Sequence, residues 1–152
     1  MGIQISKIRL PIGGLDELRA EARAEGYNFI DRLANEWESG MNRFDASGET
    51  LCGHLENGLL VAVGGLNRDP FAGRADVGRI RRVYVHPLRR GRGIGAALVS
   101  ALIDESRVNF ACVRLRAENP GAARLYERLG FEPITHPSAT HILILDCPAD
   151  AA

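Results

Sequence analysis

Val83-Tyr84-Val85-His86-Pro87-Leu88-Arg89-Arg90-Gly91-Arg92-Gly93-Ile94-Gly95-Ala96 joins three signals in register. An apolar strand stops at a proline, a loop of arginines and glycines follows, and the loop runs straight into an amphipathic helix. A helix start presents N–H groups without intrahelical partners at the positive end of the backbone dipole, so it attracts phosphate. Gly91, Gly93 and Gly95 let the backbone approach an anion closely, and Arg89, Arg90 and Arg92 add planar guanidinium forks that match phosphate oxygens. Taken alone, a glycine cluster marks a surface turn more often than a ligand site. The register of strand, loop and helix start tips the reading toward a phosphorylated ligand.

The strand feeding this loop, Val77 to Val85, carries an irregularity. Ile80 has even parity while Val83 and Val85 have odd parity, with Arg81-Arg82 between them. Alternation therefore slips by one residue, and a β-bulge is the simplest device that produces such a slip. The competing reading is a strand buried on both faces with surface arginines at one end.

Working outward, residues 3–9 read as a first strand, closed by Pro11 and Gly13-Gly14. Leu15 to Ala24 reads as a helix with Asp16 and Glu17 in its first turn and Gly26 as a left-handed stop. Asn28 to Ser39 forms a second helix, its buried face built on Phe29, Leu33 and Trp37 at four-residue spacing. Leu51 to Leu66 is a hairpin turning at Glu56-Asn57-Gly58. After the central strand, Ile94, Ala97, Leu98, Ala101 and Leu102 stripe a third helix. Residues 110–117 alternate as a strand, Asn119-Pro120 opens a fourth helix that Gly130 ends, and Phe131 with the run His141 to Leu145 supplies the closing strands. The order β-α-α-β-β-β-α-β-α-β predicts an α/β (α+β) fold with a mixed sheet between helices. The expected core is Leu18, Phe29, Leu33, Trp37, Val61, Val63, Ile80, Val83, Leu98, Leu102, Val113, Leu115, Leu125, Leu129 and Ile142.

With 152 residues, 45% hydrophobic and 25% charged, the chain reads as one ordinary globular domain over 1–152. Its formal net charge is zero, so no global field draws it to nucleic acid or membrane. Locally, Arg79, Arg81, Arg82, Arg89, Arg90 and Arg92 concentrate six positive charges within fourteen residues. Cys52, Cys112 and Cys147 have neither disulfide-framework nor zinc-site spacing, and the four histidines have no metal-ligand spacing. No apolar run approaches membrane-spanning length, and no leader pattern opens the chain, so the expected location is cytoplasmic.

Three phosphate motifs compete at the loop. A P-loop requires a lysine and a hydroxyl after the glycines, and neither is there. A dinucleotide fingerprint is formally met by Gly91, Gly93 and Ala96, but no acid ends the next strand, where Ala111-Cys112-Val113-Arg114-Leu115 stand. The third pattern, Arg90-x-x-Gly93-x-Gly95 after Val-x-Val-x-Pro, resembles the pyrophosphate signature of the GNAT superfamily of acyl-CoA-dependent N-acyltransferases. The run Asn119-Pro120-Gly121-Ala122-Ala123-Arg124-Leu125-Tyr126-Glu127-Arg128-Leu129-Gly130-Phe131 is similar to that family's second signature, and the element order matches throughout.

The resemblance implies a mostly antiparallel sheet of six to seven strands flanked by about four helices, with a splayed strand pair. It implies acetyl-CoA as co-substrate, no metal, and contacts to it from Val83, Tyr84, Val85, Arg90, Gly91, Arg92, Gly93, Ile94, Gly95, Ala96, Asn119 and Tyr126. Tyr126 is then the candidate general acid, since a phenol of pKa ~10 is close enough to a leaving thiolate's ~8.5 to donate a proton. The bland alternatives are a helix cap for Asn119 and core packing for Tyr126. An oxyanion donor is expected among the backbone N–H groups of residues 83–85. The glutamate that relatives often carry on the central strand is missing, for the sequence there reads Arg79-Ile80-Arg81-Arg82. Asp76, Glu21, Glu25 and Asp31 are the substitutes at hand, and His141 is a further candidate. The implied function is acetyl transfer to a small-molecule or peptide amine by direct attack, without membrane or nucleic-acid partners, and a homodimer is common among similar proteins. Two other readings stand beside it: a CoA-binding sensor without chemistry, and a small arginine-rich nucleic-acid-binding domain.

Overall fold

Strands and helices follow one another as β1 (Ser6–Lys7), α1 (Leu15–Ala24), α2 (Phe29–Ser39), β2 (Thr50–Glu56), β3 (Leu59–Arg68), β4 (Val77–Val85), α3 (Ile94–Ser106), β5 (Cys112–Leu115), α4 (Pro120–Arg128), β6 (Glu132–His136) and β7 (Ala139–Ile144), with a short 3-10 turn at Pro87–Arg89. The computed structural model describes residues 2–145. Cys147 lies outside the described residues. The strands form one seven-stranded sheet in the order β1-β2-β3-β4-β5-β7-β6. Every pairing is antiparallel except β4 with β5.

Local chemistry accounts for most boundaries. The β2–β3 hairpin turns on Asn57 and Gly58, both at positive φ (52° and 78°), the geometry that a two-residue hairpin needs and that this dipeptide tolerates best. Helix α4 starts where the Asn119 side chain accepts the Ala122 N–H at 2.8 Å and Pro120 fills the first turn.

Two apolar clusters cover the two faces of the sheet. On one, α3 and α4 bring Leu98, Val99, Leu102 and Tyr126 against Ala62, Leu66, Ile80 and Val113. On the other, α1 and α2 bring Leu18, Ile30 and Leu33 against Leu60, Val63 and Tyr84.

The parity slip in β4 is a bulge. Val63 faces Tyr84 but Gly65 faces Arg81, so two steps on β3 match three on β4. Arg82 takes up the extra residue at φ 62°. The consequence is the one parity demands: Ile80, Val83 and Val85 all pack toward α3, while Tyr84 packs toward α1 and α2. The bulge also turns β4 away from β5. These two strands pair only over Val77–Arg79 with Cys112–Arg114 and then part.

A buried ionic knot closes the last rung before they part. Asp69, whose side chain is 0% exposed, accepts from Arg79 on β4 (3.3 Å) and from Arg114 on β5 (2.9 Å). The same two arginines are register partners across the strand pair. Their remaining donors reach the Ser138 carbonyl (2.8 Å) and hydroxyl (3.1 Å).

Three expectations are corrected. The first strand shrinks from residues 3–9 to Ser6–Lys7, which face Gly53 and Cys52, because next along the pair the His54 ring rather than a ladder bond meets the Gln4 carbonyl at 2.8 Å. The strand expected over 110–117 narrows to Cys112–Leu115, and the Ala117 N–H is taken by the Thr140 hydroxyl instead. Among the expected core residues, Phe29, Trp37, Val83, Leu125, Leu129 and Ile142 are only half-buried. For Phe29, Val83 and Leu125 the reason is the parting of the sheet, since all three line the opening it creates.

Candidate active site

The opening between β4 and β5 holds two communicating spaces. A cleft of ≈ 510 Å³ runs from the Arg90–Ala96 loop past Val83–Val85 to the start of α4. A smaller hollow of ≈ 230 Å³ lies on the far side, against Arg32, Arg79, Arg81, Arg82 and Arg116. Phe29, Val83, Glu118 and Tyr126 line both and form the neck between them.

The cleft's phosphate end is built from backbone. Gly93 is the N-cap of α3 at φ 85°, with no side-chain cap. The first intrahelical bond runs from the Ala97 N–H to the Gly93 carbonyl (3.0 Å), which leaves the amides of Ile94, Gly95 and Ala96 without helical partners at the cleft wall. These residues fit a diphosphate: unspent N–H groups, a positive dipole end, and no Cβ at the cap. Gly93→Val forces a branched side chain into the left-handed region, at a cost of about 1–2 kcal/mol. Calorimetry is expected to read acetyl-CoA binding weakened about five- to thirtyfold.

The sequence-predicted side chains are distributed unevenly. Val83, Tyr84, Val85, Arg90, Gly91, Gly93, Ile94, Gly95, Ala96, Asn119 and Tyr126 all line the cleft, whereas Arg92 is exposed and does not. Arg90 is not a free fork. Its guanidinium binds Glu25 through two bonds (2.8 and 2.7 Å), its Nε donates to the Val85 carbonyl (3.1 Å), and it lies over the Tyr84 ring at 5.3 Å. Tyr84 donates its hydroxyl to the same Glu25. The Arg90 bonds hold the Glu25 carboxyl below its ordinary value despite some burial, and burial followed by that carboxylate pushes the Tyr84 phenol up. Arg89, read in the sequence as one of the phosphate-facing arginines, lines the cleft, and so does Arg128, which sequence reasoning did not assign.

Asn119 is the helix cap weighed for it, its Oδ1 accepting the Ala122 N–H, and its Nδ2 donates to the Tyr27 hydroxyl at 2.9 Å, both residues lining the cleft. Tyr126 likewise belongs to the core, 6% exposed and edge-on to Phe131 at 5.8 Å, and also to the neck. Burial, then the charge of Glu118, raises its pKa, so it stays protonated through the physiological range.

Ladder alternation identifies the free amide on β4. His86 donates to the Val61 carbonyl (2.8 Å) and Tyr84 faces Val63, so even residues here spend their amides on β3. The Val85 N–H and C=O then point to the parted side.

None of the substitute bases stands at the neck. Asp31 is clamped by Arg19 (2.8 Å) and Arg23 (2.6 Å), Asp76 by Arg74 (2.6 Å), and Glu25 as above. Glu21 lines neither space. His141 is buried against Glu127 at 2.8 Å, outside both spaces. Glu118 is the one carboxylate lining cleft and hollow alike among the described residues, and sequence reasoning missed it. Its signal was position: it directly precedes the Asn119 cap, in the short connection from β5 to α4. Cys52 and Cys112 have thiols pushed up by burial, which suits packing rather than nucleophilic attack.

The arginine stripe is not a free cationic surface. Arg79, Arg82, Arg89 and Arg90 are paired with Asp69, Glu36, Glu56 and Glu25. Among the described residues there is no metal-ligand cluster and no helix long and apolar enough to cross a membrane.

A parted mixed sheet with an unbonded, glycine-capped helix start at its mouth defines a class: α/β domains that hold a phosphorylated carrier along a central strand. Comparison supplies the particular family. Residues 15–131 match the family model described as acetyltransferase (GNAT) family, and the chain belongs to that family. It is 40% identical over 52 residues to L-methionine sulfoximine/L-methionine sulfone acetyltransferase of Salmonella typhimurium, covering 32% of this chain and 30% of that protein. It is 30% identical over 86 residues to N-alpha-acetyltransferase RimI of Mycobacterium tuberculosis, covering 54% and 51%. The matches thus span about a third to a half of these relatives' lengths. Among solved structures, a candidate acetyltransferase from Exiguobacterium sp. 255-15 superposes with a TM-score of 0.85 at 27% identity, covering 95% of this chain and 94% of that one. The Salmonella typhimurium protein YncA, solved with its cofactor acetyl-CoA, superposes at 0.71 with 20% identity, covering 98% and 97%.

Proposed function

We propose that this chain is an N-acetyltransferase that moves an acetyl group from acetyl-CoA to an amine by direct attack. The observation that carries the reading is the neck, where Tyr126, Glu118 and the Val83 wall meet between a cleft with unspent helix amides and a separate hollow. Bound in the cleft, acetyl-CoA supplies an activated acyl group as a thioester.

The chain's residues then have separable tasks. The amides of Ile94, Gly95 and Ala96, with Arg89, hold the diphosphate, and Asn119 and Tyr27 flank the arm that follows. The Val85 N–H polarises the acyl carbonyl, a charge-stabilising donor that needs no reorganisation at the moment of reaction. Tyr126 gives its proton to the departing sulfur. Glu118 accepts the proton of the incoming ammonium, directly or through water. An amine of pKa ~10.4 is almost wholly protonated at neutral pH, so this removal is required. Holding both reactants at the neck replaces a bimolecular encounter with a near-attack geometry, and no covalent enzyme intermediate is needed.

Thiol release from acetyl-CoA across a diverse amine panel tests the reading. Saturable acetyl-CoA binding with amine-dependent thiol release supports it, and binding without release across the panel favours the sensor reading. For Glu118→Gln, kcat/KM is expected to drop about 10²-fold at pH 7. The deficit should shrink as pH climbs toward the amine's pKa of ~10.4, where a growing share of the acceptor arrives deprotonated. A deficit that stays constant with pH would remove Glu118 from the base role.

A further inference from the structure

The hollow that faces the acceptor is built of arginine, which is an odd lining for an enzyme whose other substrate is itself a cation. Two of its five arginines are neutralised in place: Arg79 by Asp69 at 3.3 Å and Arg82 by Glu36 at 3.1 Å. Arg32, Arg81 and Arg116 have no carboxylate partner among the described residues, and the only bond from the Arg116 guanidinium is to the Pro137 carbonyl at 2.6 Å. Arg81 and Arg82 each bury an Nε that has no partner, and the Arg82 side chain is only 8% exposed. Those two atoms are closed to the hollow, but the guanidinium groups of Arg32, Arg81 and Arg116 line it with no carboxylate to offset their mutual repulsion, and such a gathering of like charge at one cavity points to an anionic ligand. Burial, then the neighbouring Arg82 charge, pulls the Arg81 pKa down to about 10, a measure of how poorly this cluster is compensated. Against three unpaired cations the hollow offers one carboxylate, Glu118, and it stands at the neck.

We propose that the acceptor amine carries its own anionic oxo group, a carboxylate or a phosphate-type group, which Arg32, Arg81 and Arg116 bind while Glu118 faces the amine. This rests on the acetyltransferase reading and names its substrate class. A plain amine or polyamine brings only positive charge into a cationic hollow. An acceptor with both charges places each against its opposite, and the polarity of the hollow orients it with the nitrogen toward the neck. A peptide N-terminus lacks the adjacent anion, because its carboxyl is spent in an amide.

The test compares matched acceptors: free amino acids, their amides, the corresponding amines without a carboxyl, and aminoalkyl phosphonates. With the whole chain and acetyl-CoA, kcat/KM for the anionic members is expected to exceed that of their neutral counterparts on the order of 100-fold. The carboxylate and phosphonate arms tell which anion is read. Arg32→Gln, at an exposed position, and Arg81→Gln should raise KM far more for anionic than for neutral acceptors with little change in kcat, and so narrow the preference. Arg81→Lys should restore part of the preference. Neutral amides or polyamines equal to or better than the free acids would overturn the inference while leaving the acetyltransferase reading standing. Calorimetry with acetyl-CoA keeps the two apart. Should no acyl transfer occur at all, saturation-transfer NMR with N-acetyl amino acids and their amides decides the matter. Anion-selective binding that is lost in Arg81→Gln upholds the inference, and equal binding of acid and amide overturns it.

Discussion

Tyr126→Phe is expected to lower kcat about 10²- to 10⁴-fold while leaving acetyl-CoA affinity within about a factor of two. The substitution removes one oxygen and keeps the ring, which stays packed edge-on to Phe131 in the α3-side core. Folding is therefore preserved, and the loss isolates the proton donor. Burial and the Glu118 charge hold the Tyr126 proton above the ordinary phenol value. A raised acid pKa keeps the donor form populated as pH climbs. The rate of the unaltered protein should accordingly rise with pH as the acceptor loses its proton, without a falling limb from Tyr126 near pH 10. Single-turnover rates of both proteins over pH 6–10 provide the check. An unchanged rate in the phenylalanine variant would take this residue out of the chemistry.

The second large effect is on stability. Asp69→Asn should destabilise the fold by about 3–5 kcal/mol, because it strands two buried guanidinium groups that now share one carboxylate. That is a large part of the roughly 5–15 kcal/mol that holds a domain together. The melting temperature should fall by about 10 °C, since each kcal/mol moves a domain of this size by about 2–4 °C. The aspartate also accepts the Phe71 N–H at 2.8 Å, so the loop before β4 loosens with the knot. Burial alone would raise the Asp69 pKa, but the Arg114 bond, the Phe71 N–H and the two arginine charges together leave it below the ordinary 3.8. A carboxyl depressed in the folded state contributes its full stability above the unfolded value and loses it as pH falls through the folded one. Urea titrations should therefore show the original protein weakening below about pH 4. The variant, which has no such carboxyl, should lack this part of the acid slope. A variant with unchanged stability at neutral pH would show that the knot does not hold the strand pair.

Much of the architecture was legible because its signals are local. Asn57-Gly58 specifies its hairpin, Asn119-Pro120 its helix start, and the loop 89–93 its glycine conformations, all through dihedral preferences and neighbouring hydrogen bonds. Even the bulge could be read, since the parity of Ile80, Val83 and Val85 records which face each side chain seeks. The carboxylate at the neck and the partners of the arginines could not be read in the same way. Glu118 gains its place only when the end of β5 is carried to the neck, and Asp31 and Asp76 lose their candidacy to arginines that fold against them.

From the sequence alone come the family signatures, the order of elements and the slip in the central strand, because backbone preferences and side-chain alternation operate over a few residues. Only the tertiary structure decided that Arg90 would be held by Glu25, that Asp69 would knot two strands where they part, and that three arginines would line one hollow with no carboxylate partner among the described residues. Charge pairing depends on distance through space, and the partners here lie 65, 10 and 45 positions apart along the chain. Folding brings such groups to within 3–4 Å, where Coulomb attraction and hydrogen bonding choose among partners that sequence order cannot rank.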